Sequence, residues 1–157
     1  MTAPICHGTF TLTRDWAAPA ERVFRAWTDP ALKARWFTGP PGWQEERREM
    51  DVRPGGEERT EGLIAATGLR TRFHARYHLV EPDARLVFAY DLHLSDLFHS
   101  ITLASLTLTS RAGGTRAAYT EQIVFLDGSD GTALRVEGTE EHFSAIERAL
   151  GLTESAP

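Results

Sequence analysis

The residue types able to do chemistry in this chain are few, and their spacing narrows them further. His74 and His78 lie four apart in an alternating run, so a strand would put them on one face with Arg76 between them. Zinc needs three or four convergent ligands and no wedged cation. Phe73, Ala75, Tyr77 and Leu79 claim the other, buried face, so His74, Arg76 and His78 are expected in solvent. His93 and His99 flank the next connection. No metal and no cofactor is expected. There is no nucleophile elbow, phosphate-cradling loop or dinucleotide fingerprint, and Gly113-Gly114 reads as a turn.

Glu121 is the candidate for catalysis. Ala117, Tyr119, Glu121, Ile123 and Phe125 share one parity, which places a carboxylate on an apolar face. Burial raises a carboxyl pKa, as proton transfer requires. The plainer expectation is a structural pair with an arginine, Arg53 or Arg135. Aromatic residues supply the remaining resource. Trp36, Phe37, Trp43, Phe73 and Phe88 can point inward, most as core and a subset as cavity lining. Tyr77 and Tyr90 add hydroxyls able to orient a polar ligand end. Ile123 and Phe143 complete the expected lining with Glu121, and the loop from Phe37 to Trp43 would rim its mouth.

The elements that must position these groups follow from the pattern. Phe10, Leu12 and Arg14 open a strand. Ala18-Pro19-Ala20-Glu21 starts a helix that buries Ala20, Val23, Phe24 and Trp27. Asp29-Pro30 starts a second, ending at Gly39-Pro40-Pro41-Gly42, with Leu32 and Trp36 inward. Strands are expected near 43–53, 57–66, 69–81, 85–94, 99–110 and 115–126, joined by short turns as an antiparallel meander. From about 132 to 150, Ala133, Val136, Thr139, Phe143, Ile146 and Leu150 form one helical stripe, with Gly151 as its cap and Gly138 a potential break. The order strand, two helices, six strands, helix argues for the α+β class: a curved antiparallel sheet of about seven strands gripping a long C-terminal helix.

Composition bounds the function. The chain has 157 residues, 41% hydrophobic and 25% charged, enough for one domain spanning 1–157 with a core of about 8–151. A net charge of -5 argues against nucleic acid as partner. No apolar run suggests a signal peptide or a membrane span, and Cys6 is the one cysteine, so a soluble cytoplasmic protein is expected. Lys33 is the sole lysine, an arginine bias read as compositional.

Several runs resemble a known family. They are Phe10-Thr11-Leu12-Thr13-Arg14 with Ala18-Pro19, Val23-Phe24, Ala26-Trp27-Thr28-Asp29-Pro30 and Trp36. Asp51-Val52-Arg53-Pro54-Gly55-Gly56, Arg85-Leu86-Val87-Phe88, Gly114-Thr115-Arg116, Thr120-Glu121-Gln122 and Phe125-Leu126-Asp127-Gly128 add to them. Over about residues 8–151 the chain resembles the homologues of the activator of the heat-shock protein 90 ATPase, in the START-like, polyketide-cyclase-like helix-grip superfamily. The resemblance implies a hydrophobic-ligand cavity between sheet and helix. The eukaryotic proteins behind the family name add a chaperone-binding domain, for which this chain has no room. One departure stands out. The family's last helix reads Gly-Trp, three residues, then Leu; here it reads Gly138-Thr139, then Phe143. Either neighbours such as Trp36, Phe88 or Phe125 fill the space, or it is kept for a ligand that the Thr139 hydroxyl contacts. The second is preferred.

Three functions compete, in this order: a binder of a small hydrophobic molecule, a cyclase- or dehydratase-like enzyme using Glu121, and a chaperone ATPase cofactor acting through its surface. A monomer or homodimer is expected.

Overall fold

The computed structural model describes residues 2–152. The chain runs β1 (Cys6–Trp16), α1 (Ala20–Thr28), α2 (Pro30–Lys33), β2 (Trp43–Met50), β3 (Glu57–Ile64), β4 (Leu69–Glu81), β5 (Arg85–Leu94), β6 (Leu97–Arg111), β7 (Gly114–Phe125) and α3 (Thr132–Ala149). The strands form one curved antiparallel sheet in the order β1-β7-β6-β5-β4-β3-β2. Strands β2 to β7 are a meander of sequence neighbours, and β1 closes the far edge against β7. The α+β helix-grip architecture is the one expected.

Alternation sets the inner face. Leu86, Phe88 and Tyr90 of β5 face inward beside Ala104 and Leu106 of β6, and Tyr119, Glu121 and Ile123 of β7 continue the layer. One alternation fails. Leu79, expected inward, pairs with Val87, because a bulge between Tyr77 and Leu79 shifts the register and hands the inward place to Val80, opposite Leu86. His74 is half-buried, with its Nε2 3.2 Å from Glu57 Oε1, and Arg76 and His78 are exposed.

Four aromatic rings fasten the helices. Trp27 of α1 packs against Trp16, Trp36 and Phe143 with ring centres 6.0, 5.3 and 6.0 Å away. The Trp36 indole donates to Ala26 O at 2.7 Å, and the Trp16 indole reaches Glu147 Oε1 of α3 at 3.0 Å. Asp29 caps α2 as expected, its Oδ1 accepting from the Ala31 and Leu32 amides.

Helix α3 is unbroken at Gly138, but its stripe is narrower than expected. Thr139, Phe143, Ile146 and Leu150 are buried, Val136 is half-buried and Ala133 is exposed. Gly151, at φ +70°, ends the helix, its amide donating to Arg148 O and that of Leu152 to Glu147 O, a Schellman closure. In the β6–β7 turn only Gly113 has positive φ. Gly114 serves close approach instead, since a Cβ there would sit 2.0 Å from Trp16 O.

Candidate functional site

A cavity of about 370 Å³ lies between the inner face of the sheet, α2 and α3. Of the expected lining residues, Trp36, Phe37, Trp43, Phe88, Tyr90, Glu121, Thr139 and Phe143 border it. Tyr77 and Ile123 are buried but lie behind its wall, Tyr77 with its hydroxyl on Glu58. The rim is built from Thr38, Gly39 and Trp43 on one side and the first turns of α3 on the other, where Leu134 is 75% exposed. Trp43 is held by its indole N–H, which donates to Thr71 Oγ1 at 2.7 Å. Its ring covers Gly62, where a Cβ would come within 2.0 Å of it.

Glu121 is 2% exposed and fully engaged. Oε1 accepts from Arg135 Nη1 at 3.0 Å; Oε2 accepts from the Tyr90 hydroxyl at 2.7 Å and from the Tyr119 hydroxyl. Arg135 reaches down from α3 and also donates to Tyr90 Oη at 2.8 Å, Thr102 Oγ1 at 3.0 Å and Ser100 Oγ at 2.8 Å. The partner is thus Arg135; Arg53 is on the surface with Asp51. Burial beside the anionic Glu121 drives both tyrosine pKa values well up, so the two phenols stay protonated donors. Ser100 passes the network to His99 Nδ1 at 2.9 Å. The other ring nitrogen, Nε2, lies 3.7 Å from Asp127 Oδ2.

The sequence pattern does not single out a second buried cluster. Lys33 Nζ lies 2.7 Å from Glu58 Oε1, which also accepts from the Tyr77 hydroxyl. Lys33 is 3% and Glu58 0% exposed. The all-polar run Glu57-Glu58-Arg59-Thr60 gives no hydrophobic alternation to reveal which side faces inward. The usable signal was in α2, where Lys33 precedes Trp36 and Phe37 by three and four residues and so shares their face. Tyr119 and Arg135, the neighbour and the expected partner of Glu121, also line the cavity.

The space opposite Thr139 is kept. Trp36 and Phe88 border the cavity without closing it. The Thr139 hydroxyl, expected to meet a ligand, instead donates to Arg135 O at 2.8 Å, as a threonine in a helix interior often does. Gly138 also lines the cavity, and a Cβ there would meet open space. Among the described residues no group of three or more histidine, cysteine or acidic side chains is placed to hold a metal ion, and no helix is long and apolar enough to cross a membrane.

Solved structures share this fold. An uncharacterised protein from Rhizobium leguminosarum is 36% identical with a TM-score of 0.87, over 94% of this chain and 97% of its own. A protein from Rhizobium loti is 33% identical with a TM-score of 0.85, over 93% and 99%. One from Chromobacterium violaceum is 26% identical with a TM-score of 0.75, over 94% and 98%. No curated protein matches the chain significantly. The family model described as Activator of Hsp90 ATPase homolog 1-like protein matches residues 17–151, from the end of β1 through the α3 cap. The chain belongs to that family.

Proposed function

We propose that this protein binds a small, neutral, largely apolar molecule in the cavity between its sheet and α3. The observation that carries the reading is the open space of about 370 Å³ left beside Thr139 and Gly138 and walled mainly by aromatic rings. Apolar space of this kind favours apolar guests over water. Neutrality follows from the charges around it. Glu121 is matched by Arg135 and Lys33 by Glu58, so a charged ligand would enter without a free counter-ion. With both Glu121 oxygens taken by internal donors, the carboxylate serves the wall better than it serves proton transfer. A cytoplasmic location suits the single cysteine.

The test is Thr139→Trp with N-phenyl-1-naphthylamine, a neutral probe that brightens in apolar surroundings. An indole at 139 fills the space, so the variant is expected to melt at or above the parent's temperature and to lose probe fluorescence. A markedly lower melting temperature would mean the space was already packed. Unchanged probe binding would place the binding site elsewhere and favour a role for the outer surface, such as chaperone contact.

A further inference from the structure

The one lysine of the chain is built into the cavity wall. Its Nζ is 4.7 Å from the centre of the Phe37 ring, with Phe73, Phe88 and Trp36 at 5.7, 5.8 and 5.9 Å. Glu58 holds it through Oε1 alone. Oε2 of Glu58 is buried with no partner, and so is Oγ1 of Thr60, a cavity-lining residue on the same face of β3. A buried ion pair offers no stability advantage over packed apolar side chains, and one left half-satisfied offers less. Contrast Glu121, whose two oxygens share three donors. The Lys33 cluster is an amine in an apolar chamber, next to a carboxylate oxygen free to take a proton.

We propose that Lys33 is a covalent capture site for an apolar aldehyde or ketone, held as an imine, with Glu58 carrying the protons. The proposal rests on the ligand-binding reading and names the reactive group of the ligand. The ammonium gives a proton to Glu58. The Nζ lone pair then attacks the carbonyl carbon, a C–N bond forms and the C=O π pair moves to oxygen. Transfer of one proton from nitrogen to that oxygen, relayed through Glu58, gives the carbinolamine. Glu58 then protonates the hydroxyl; the C–O bond breaks, water leaves, and the nitrogen lone pair closes a protonated C=N bond beside the restored carboxylate. One water is released and nothing is oxidised or reduced. Tyr77 is a positioning residue, its hydroxyl fixing Oε1.

The surroundings favour the nucleophile. Burial lowers the Lys33 pKa below its ordinary value of 10.5, Glu58 pulls it back up, and Arg48 adds to the lowering. Those two groups and the more distant His142 are the titratable neighbours that act on it, and Tyr77 reaches it only through Glu58. The aromatic walls also keep out the water that would hydrolyse an imine.

The experiment uses the full chain with 2-naphthaldehyde and sodium cyanoborohydride, followed by peptide mapping. 2-Naphthylmethanol, which has the same ring system but forms no imine, serves as competitor and as binding control. The expected result is one naphthylmethyl group on Lys33, acquired at least about ten-fold faster than on the N-terminal amine, because cavity binding raises the effective concentration of the aldehyde. The alcohol should slow labelling at Lys33 alone. Glu58→Gln should slow labelling at Lys33, and Lys33→Arg, which keeps a cation for Glu58, should take no label at position 33. If a variant fails to fold, the map of the unmodified chain decides. Alcohol binding with Lys33 unlabelled, or labelled no faster than the terminus, overturns the imine and leaves the ligand reading intact. Failure of both naphthalene compounds to enter overturns both.

Discussion

Two buried carboxylates of this protein differ in completeness, and the difference is measurable. Glu121 balances Arg135, which α3 carries into the wall. Glu121→Gln leaves that guanidinium without its counter-ion, so a loss of about 3 kcal/mol in denaturant unfolding is expected. A loss below about 1 kcal/mol would mean that water or Asp127 takes over the pairing. The same variant checks the enzymatic alternative, since any activity carried by Glu121 would fall by orders of magnitude. The histidines set a pH dependence. Burial is the first cause lowering His99 and His142 below the ordinary 6.5. His142 is also a donor, its Nε2–H reaching Thr38 O across the cavity rim at 3.0 Å. The unfolded chain therefore binds protons that the native chain still refuses. Stability is complete above the free-histidine value and declines as pH falls through it toward the folded values. Denaturant midpoints taken from about pH 7.5 to about pH 5.5 should fall. His142→Gln, which retains a donor for Thr38, should flatten the slope, and an unchanged slope would exonerate this residue.

Among the elements, α3 combines a weak sequence with an essential position. Gly138 costs helix stability and faces empty space. Gly138→Ala should therefore raise stability by roughly 0.5–1 kcal/mol and narrow the cavity, seen as a higher melting temperature with weaker probe binding. A drop in stability would mean that the added methyl meets a wall. The long periodic elements were legible in advance for a physical reason. Strands β4, β5 and β7 alternate because one side of each is buried, and the apolar spacing of α3 from Thr139 to Leu150 is what a helix lying on a sheet needs. Two things were not legible. The bulge in β4 moves Leu79 off the inner face by a register shift, which leaves no mark in residue type. The Lys33–Glu58 pair joins a four-residue helix to the polar first half of β3, so Glu58 has no apolar neighbours to announce its burial, and Lys33 has only Trp36 and Phe37 beyond the end of its helix. Glu121 was legible because it interrupts an apolar parity; Glu58 interrupts nothing.

For the molecule as a whole, a cavity of this size means that bound and free protein differ in stability. A ligand at one hundred times its dissociation constant should add about 2.7 kcal/mol, so a melting temperature that rises with the logarithm of 2-naphthylmethanol concentration is expected and a flat response would count against binding. The strand order carries a different consequence, one of time. Each pairing from β2 to β7 joins strands adjacent in sequence, but β1 meets β7 across the length of the chain, as Thr9 Oγ1 and Glu121 O do at a separation of 112 residues. Hairpins close in microseconds, whereas contacts of high sequence separation come late. During synthesis β1 emerges first and has its partner last, so Phe10 and Leu12 wait unpaired until β7 has left the ribosome. Pulsed hydrogen exchange during refolding should protect β5 and β6 amides before those of β1. A substitution that weakens the β1–β7 seam would then betray itself less in the finished protein than in the nascent one, as aggregates of chains whose first strand found a neighbour's edge before its own.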